Sequence, residues 1–399
     1  MVTPYSPEKC GIAIYASKLL AKLANYANIA VISSKDGQDE FASDNKFRII
    51  RSWKKTSPLY IFEIFKGVAE ESSHIVHIQH EYLAYGPRKY SVLFPVLLLF
   101  LRLLRRPLIL TMHSVVRREK LTDDFFFLHQ TGRRFTAIKK AIMYLFTKAI
   151  ANLSDAVIVH NDYMRNALIQ DYNIEQEKIV VIPHGVDASQ IVESASQAKK
   201  KLKLSEKQVL LFFGFVIPGK GLEVLIRSLC KVSQKVSNVI LVIAGQYHPR
   251  LSREFPRYLG TIEKLIQDLK LGDRVIFENR FIDDRRLELY ISAADIVVFP
   301  YTDNSILGAS GALATCASQG KAVIATDIPR FVSELRNEVN GVIVEPNNEL
   351  QLVEAIVRVS LDSRLREQLQ EKLHAYAVER TWDAISSSTF ELYSRILRA

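Results

Sequence analysis

At 399 residues the chain is too long for one typical core and about right for two domains. Apolar residues make up 48% and charged residues 24%, which excludes a disordered chain. The net charge of +10 sits in one window: from Arg88 to Lys148 there are 13 Lys and Arg against 3 acids, so the remainder is neutral.

The N-terminal stretch MVTPYSPEKCGIAIY has no basic start followed by an apolar run, so no signal peptide is expected. Within it, Glu8 to Ala13 precedes a helical run. Gly11 there would let a backbone approach a phosphate at a helix N-terminus; an ordinary strand-to-helix turn is the other reading. Strands are expected at Ile29–Ser33 and Ile75–Gln79. The second runs into Gln79, His80, Glu81 and Tyr82, polar residues at a strand's carboxyl end, where α/β proteins bind ligands. His80 and Glu81 are therefore acid/base or acceptor-binding candidates, with capping as the alternative.

The longest apolar run, Val92 to Leu101, falls short of the roughly 20 residues that a membrane-spanning helix needs. Arginines interleave with Leu and Phe in LFPVLLLFLRLLRR, and again in FFFLHQTGRRF. An amphipathic surface helix combines both features, so an anionic membrane surface is expected. A nucleic-acid partner is not, because no recognition motif accompanies the charge. The alternative is a core helix with solvated arginines.

Strands follow at Leu108–Met112, Ala156–His160 and Ile179–Pro183. The first ends in His113, whose imidazole can hold a donor sugar or be structural. The polar segment Asp187–Gln208 reads as a linker. A second series is expected at Val209–Phe213, Val239–Ala244, Arg274–Glu278, Ile296–Phe299, Ala322–Ala325 and Gly341–Val344. Helical patterns such as Leu222–Val232, Tyr258–Leu269 and Leu350–Ser360 lie between them. After the first strand of this series, Gly214 to Glu223 (GFVIPGKGLE) has the make-up of a phosphate-binding turn. Gly214 and Gly219 permit close approach and Lys220 is a point charge. The spacing is not that of a P-loop. Further on, Pro300–Asp303 and the small-residue loop Gly308–Gly311 precede a helix. Ser310 and Gly311 can present backbone amides to a diphosphate, or simply start the helix.

Most strand candidates are continuous apolar runs, as in parallel sheets covered on both faces. Two β-α-β series make the fold class α/β, with two Rossmann-like domains, 1–187 and 188–370. Three scattered cysteines, Cys10, Cys230 and Cys316, suggest neither metal site nor disulfide framework and fit a reducing, cytoplasmic compartment.

Taken in order, PYSPEKCGIAIY, HIQHEY, TMHS, SDAVIVHND, VVIPHGVD, FFGFVIPGKGLE, ILVIAGQYHP, AADIVVFPYTD and GKAVIATDIP resemble retaining GT-B glycosyltransferases of group 1, also called family four. The likeness covers nearly the whole chain. It implies two domains facing each other across a cleft, an N-terminal acceptor domain and a C-terminal donor domain. Helices in 371–399 would return to the first. It implies a GDP- or UDP-sugar donor, mannose or glucose in type, no separate cofactor, and a glycan or lipid-linked acceptor. No Asp-x-Asp pair appears, so transfer without a metal is expected, and the basic apolar window places the enzyme peripherally at the inner face of the membrane. The resemblance also implies residue roles. Gly11 would lie against the donor diphosphate and His113 near the anomeric centre. Lys220 would neutralise the leaving group, the backbone at Arg280 and Phe281 would hold the base, and Ser310 and Gly311 would sit by the phosphates. His80 and Glu81 would face the acceptor. The chain departs from the family at its paired glutamates, where Leu307 and Thr315 stand, and at an arginine of the phosphate turn, replaced by Phe215 or Ile217. Asp303 and Arg280 are the expected substitutes. A non-catalytic GT-B binding protein is the alternative to an enzyme.

Overall fold

A computed structural model describes residues 1–8, 10–35, 47–128, 134–187, 193–247, 257–280 and 282–398. The chain forms two compact units. Unit 1 comprises Met1–Gly185, Ser305–Ala309 and Arg380–Ala399; unit 2 comprises Val186–Asn304 and Ser310–Glu379.

Unit 1 holds strands β1 (Ala30–Ser34), β2 (Arg48–Trp53), β3 (Val76–His80), β4 (Leu108–Met112), β5 (Val115–Val116), β6 (Ala156–Val159) and β7 (Ile179–Val181). β3, β4, β6 and β7 lie side by side in that order, all parallel. β1 pairs with β2, and Val2 bridges both β1 and β3 in parallel, joining the two groups. The β3 and β4 side chains are wholly buried; β4 (LILTM) is almost entirely apolar, whereas β3 (VHIQH) buries His77, Gln79 and His80 among its apolar residues. β2 was not expected. Its sequence, RIIRSW, places arginines within a half-exposed edge strand, so it lacks the continuous apolar signature. Also unexpected is a two-residue antiparallel pairing within unit 1, between β5 and Ile306–Leu307.

The final helix, Trp382–Arg398, packs on the helix Gly11–Leu23. A Cβ at Gly185 would come within 2.4 Å of the Trp382 indole, so a side chain at that position would push the helix away. The helices Phe94–Arg102 and Thr136–Asn152 pack against one another. Phe94, Leu97, Leu98 and Leu101 point into the core, whereas Val92, Val96, Leu99 and Leu103 are exposed. Ile138, Ile142 and Leu145 on the second helix are exposed at the same helical spacing.

Unit 2 has one six-stranded sheet. Its strands are β8 (Gln208–Phe213), β9 (Val239–Ala244), β10 (Val275–Glu278), β11 (Ile296–Phe299), β13 (Ala322–Thr326) and β14 (Val342–Val344), with β12 denoting Ile306–Leu307 in unit 1. They run parallel in the order β10-β9-β8-β11-β13-β14. The order reverses between β8 and β11, and a doubly wound sheet binds its ligand beside such a reversal, beyond the strand carboxyl ends. Among the described residues no helix is long and apolar enough to cross a membrane.

Candidate functional site

In unit 1 the carboxyl ends of β3, β4, β6 and β7 gather histidines. His113 follows β4, and its amide donates to the His80 carbonyl (3.0 Å). Its ring is linked on both sides: Nε2 lies 2.8 Å from Gln79 Oε1 and Nδ1 lies 3.1 Å from His160 Nε2. His160 Nδ1 faces the Ile182 carbonyl at 3.0 Å. A carbonyl only accepts, so His160 carries its proton on Nδ1 and, when neutral, accepts at Nε2. His113 must then donate from Nδ1 and accept at Nε2. In a neutral chain the Gln79 amide therefore presents its NH2, and not its Oε1, to His113. His77 continues the network to Thr111 Oγ1 (2.7 Å) and the Tyr393 hydroxyl (2.5 Å).

Burial dominates the electrostatics here. It holds the His113 ring well below the usual histidine value, with neighbouring His160, His184, His80 and His77 adding to the effect. His160 is lowered to about 4, by burial and then by His184, against the Ile182 hydrogen bond. His77 and His80 fall to about 3, again chiefly by burial. All would be neutral at pH 7. Tyr15 sits edge-on to His113 with centroids 4.7 Å apart.

His80 lies deeper, packed against Phe94 (4.6 Å), Tyr82 and Phe146, and its Nδ1 finds no partner among the described residues. Glu81 is half-buried and accepts from the Ser114 hydroxyl. Gly11 begins its helix with open space where a Cβ would stand. Cys10 caps that helix by accepting from the Ala13 amide (3.4 Å). Beside this turn, Glu8 pairs with Lys55.

In unit 2 the turn after β8 is sewn to the segment after β11. The Gly219 carbonyl accepts from the amides of Thr302 (2.9 Å) and Asp303 (3.2 Å). Gly221 has φ +71°, and a Cβ there would come within 1.8 Å of the Pro300 carbonyl, so only glycine fits. This fastening aims Lys220 inward: its Nζ lies 3.6 Å from the centre of the Tyr301 ring, a cation–π contact. Burial, followed by repulsion from Arg330, drives the ammonium pKa well below its ordinary value, while Asp303 opposes the shift. Asp303 also packs its Cβ against Gly219, and Gly214 at φ +118° borders open space. Ser310 is buried and caps the helix Gly311–Ser318 by accepting from the Leu313 amide (3.1 Å). Thr315 bonds back to the Gly311 carbonyl.

Arg280 belongs to a separate ion-pair cluster. Its Nε donates to Glu278 (2.6 Å), which also receives Arg286 (2.7 Å) and Tyr290 (2.7 Å). Burial opposes ionisation of Glu278, but the hydrogen bonds from Tyr290, Arg286 and Arg280 prevail and hold its carboxyl below the usual range. Phe281 lies outside the described residues. Unit 1 thus brings together His113 with Gln79 and His160, and unit 2 brings together Gly219, Lys220 and Asp303, while Gly214 lies instead against Gly245. Gln79, His160 and Arg330 were not among the sequence candidates. The first two carry the same signal as His80 and His113, polar residues closing an apolar strand. Arg330 carries no such signal.

Two family models match the chain. One described as glycosyl transferases group 1 covers residues 193–375, and one described as glycosyltransferase family 4 covers residues 10–190. A D-inositol 3-phosphate glycosyltransferase of Salinispora arenicola is 27% identical over 260 residues, 62% of this chain and 56% of the relative. A GDP-mannose-dependent alpha-(1-6)-phosphatidylinositol monomannoside mannosyltransferase of Mycobacterium tuberculosis is 20% identical over 241 residues, 59% of each chain. The alignments thus span less than two thirds of these relatives' own length. Anabaena HepE, solved with UDP-glucose, superposes with a TM-score of 0.74 at 18% identity over 99% of this chain and 98% of its own. That match is of fold, the two-domain α/β arrangement known as GT-B.

Proposed function

We propose, for a chain that belongs to the glycosyltransferases of group 1, that it moves a hexose from a UDP- or GDP-sugar onto a glycan or lipid-linked acceptor, with retention and without a metal. Unit 2 would bind the donor and unit 1 the acceptor. The observation that carries this reading is Lys220, a half-buried cation fixed by the β8 turn over Tyr301 at the carboxyl edge of a doubly wound sheet.

The chemistry asks for such a group. The bond from the sugar's anomeric carbon to the diphosphate oxygen breaks, and negative charge builds on the departing diphosphate. The acceptor oxygen bonds to that carbon and passes its proton to the departing diphosphate. A preorganised cation in a site that excludes water stabilises the developing charge more than it stabilises the ground state. HepE was solved with UDP-glucose, which supports a nucleotide-sugar donor. The mycobacterial relative's phosphatidylinositol monomannoside substrate supports a lipid-linked acceptor. The exposed apolar faces of Phe94–Arg102 and Thr136–Asn152, flanked by exposed Lys89, Arg105 and Lys140, support work at an anionic membrane. Arg102 and Arg106 belong less to that surface: Arg102 bonds Asp155 (2.6 Å) and Arg106 bonds the carbonyls of Val68 and Glu71.

Leu307 and Thr315 occupy the positions at which the family resemblance calls for glutamates, which favours a non-catalytic binding role as the second reading. Screening UDP- and GDP-hexoses for thermal stabilisation and for hydrolysis separates the two, because a ligand of the folded state raises the melting temperature whether or not it turns over. Hydrolysis of any one of them supports the enzyme; stabilisation without turnover, even with acceptor lipids added, supports the binding protein.

A further inference from the structure

Unit 2 contains a second cation that the reading above does not use. Tyr301, beneath the Lys220 ammonium, is fastened on its other side to the carboxyl end of β13: its carbonyl accepts from the Thr326 hydroxyl (2.7 Å). Its ring meets Phe331 edge-on at 4.9 Å, and Phe331 stacks on Phe299 at 5.4 Å. Phe331 is buried in the short helix Pro329–Val332, and its neighbour Arg330 is only half-buried. Three adjacent strands thus deliver Lys220, Asp303 and Arg330 to one edge of the sheet. Arg330 is the main charge acting against the Lys220 ammonium, and it acts on Tyr301 as well.

We propose that Arg330 is a second diphosphate-binding cation, paired with Lys220 at the carboxyl edge of the unit 2 sheet. The inference rests on the nucleotide-sugar reading and adds a residue to it. Two cations brought to one sheet edge by neighbouring strands suit an arriving anion. A diphosphate offers enough oxygens for both, and a guanidinium suits paired phosphate oxygens better than an ammonium does. The Lys220–Arg330 repulsion becomes favourable once the diphosphate lies between them, so the pair would favour a diphosphate over an uncharged nucleoside.

The test is calorimetric titration of UDP, GDP and the two nucleosides into wild type, Arg330→Gln and Arg330→Lys. Arg330→Gln is expected to weaken the preferred diphosphate about tenfold or more and leave its nucleoside unchanged, while Arg330→Lys recovers part of the loss. Affinity for the diphosphate should fall as pH rises through the Lys220 pKa. Without Arg330 that pKa rises, so the fall should move to higher pH, a shift that a merely structural role would not produce. As a measurement on unaltered protein, UDP or GDP should protect Arg330 from phenylglyoxal, read by peptide mass spectrometry. Unchanged diphosphate affinity in Arg330→Gln, or undiminished labelling under saturating diphosphate, overturns the inference while the nucleotide-sugar reading stands. Wild type that binds neither diphosphate overturns both.

Discussion

The polar groups at the carboxyl edges of the two sheets are arranged in opposite ways. In unit 1, His77, Gln79, His113 and His160 satisfy one another, and the last donor in the chain ends on the Ile182 carbonyl. In unit 2, Lys220 rests on an aromatic face with a second cation working against its charge. The first arrangement is complete without a ligand, and removing a member leaves partners buried and unpaired. The second gathers Lys220, Asp303 and Arg330 at one sheet edge, a charge distribution that suits an anionic ligand. Residues of the first kind should therefore matter to folding, and residues of the second to binding and turnover.

Acid should break the first arrangement most strongly. The folded-state pKa values of His77, His80 and His160 lie below the unfolded value near 6.5. The unfolded chain therefore binds more protons between those limits. Stability is fully present above about pH 6.5 and is lost as pH falls toward about 4 for His160 and about 3 for His77 and His80. Each group contributes at most about 1.4 kcal/mol per pH unit across its window. Urea unfolding midpoints at pH 7.5, 6 and 5 should drop progressively, and a flat profile would mean that these histidines are solvated.

Substituting Lys220 should sharpen the contrast. Lys220→Met is expected to lower turnover about 10²–10³-fold, the usual effect of removing one group that meets charge in a transition state. Its melting temperature should hold or rise, since it deletes a desolvated, repelled cation. Equal turnover with the true donor would remove Lys220 from the mechanism. The unit 1 counterpart, His113→Ala, should cost about 1–3 kcal/mol for each buried partner left unpaired. It should also abolish transfer while leaving affinity for the nucleoside diphosphate intact. An equal loss of that affinity would count against placing His113 on the sugar side.

These features differ in how far they could be read in advance. A buried parallel strand such as LILTM or VILVIA needs apolar residues on both faces, so its run is visible in one dimension. RIIRSW has one half-exposed edge, and its arginines hide it. The turn around Lys220 showed its glycines, but not that Gly219 and Gly221 are there to meet the Pro300–Asp303 segment. That contact joins distant parts of the chain, as does the path from Tyr301 through Phe331 to Arg330. Periodicity reports what one segment does with a surface, and these sites depend on which segments become neighbours. The basic window shows the same limit: Arg102 and Arg106 count toward its charge but are tied to Asp155 and to backbone carbonyls.

The smallest expected effect concerns the surface of unit 1. With Arg102 and Arg106 engaged internally, the exposed cations Lys89, Arg105 and Lys140 are left beside the apolar faces of Val92, Val96, Leu99, Ile138 and Ile142. Each cation near an anionic bilayer contributes roughly 1 kcal/mol at best, and salt screens it beyond about 8–10 Å. Sedimentation with phosphatidylserine-containing vesicles should therefore bring the protein down at low salt, less at high salt, and hardly at all with neutral vesicles. Changing Lys89, Arg105 and Lys140 to Gln should remove the salt-sensitive part. Changing Leu99 and Ile142 to Gln should instead remove the salt-resistant remainder, because those side chains would enter the acyl region. Neither set should alter unfolding by urea much, since all five side chains are exposed. Wild type that stays in solution with anionic vesicles at low salt would make this a solvated face, and a soluble glycan would become the better acceptor.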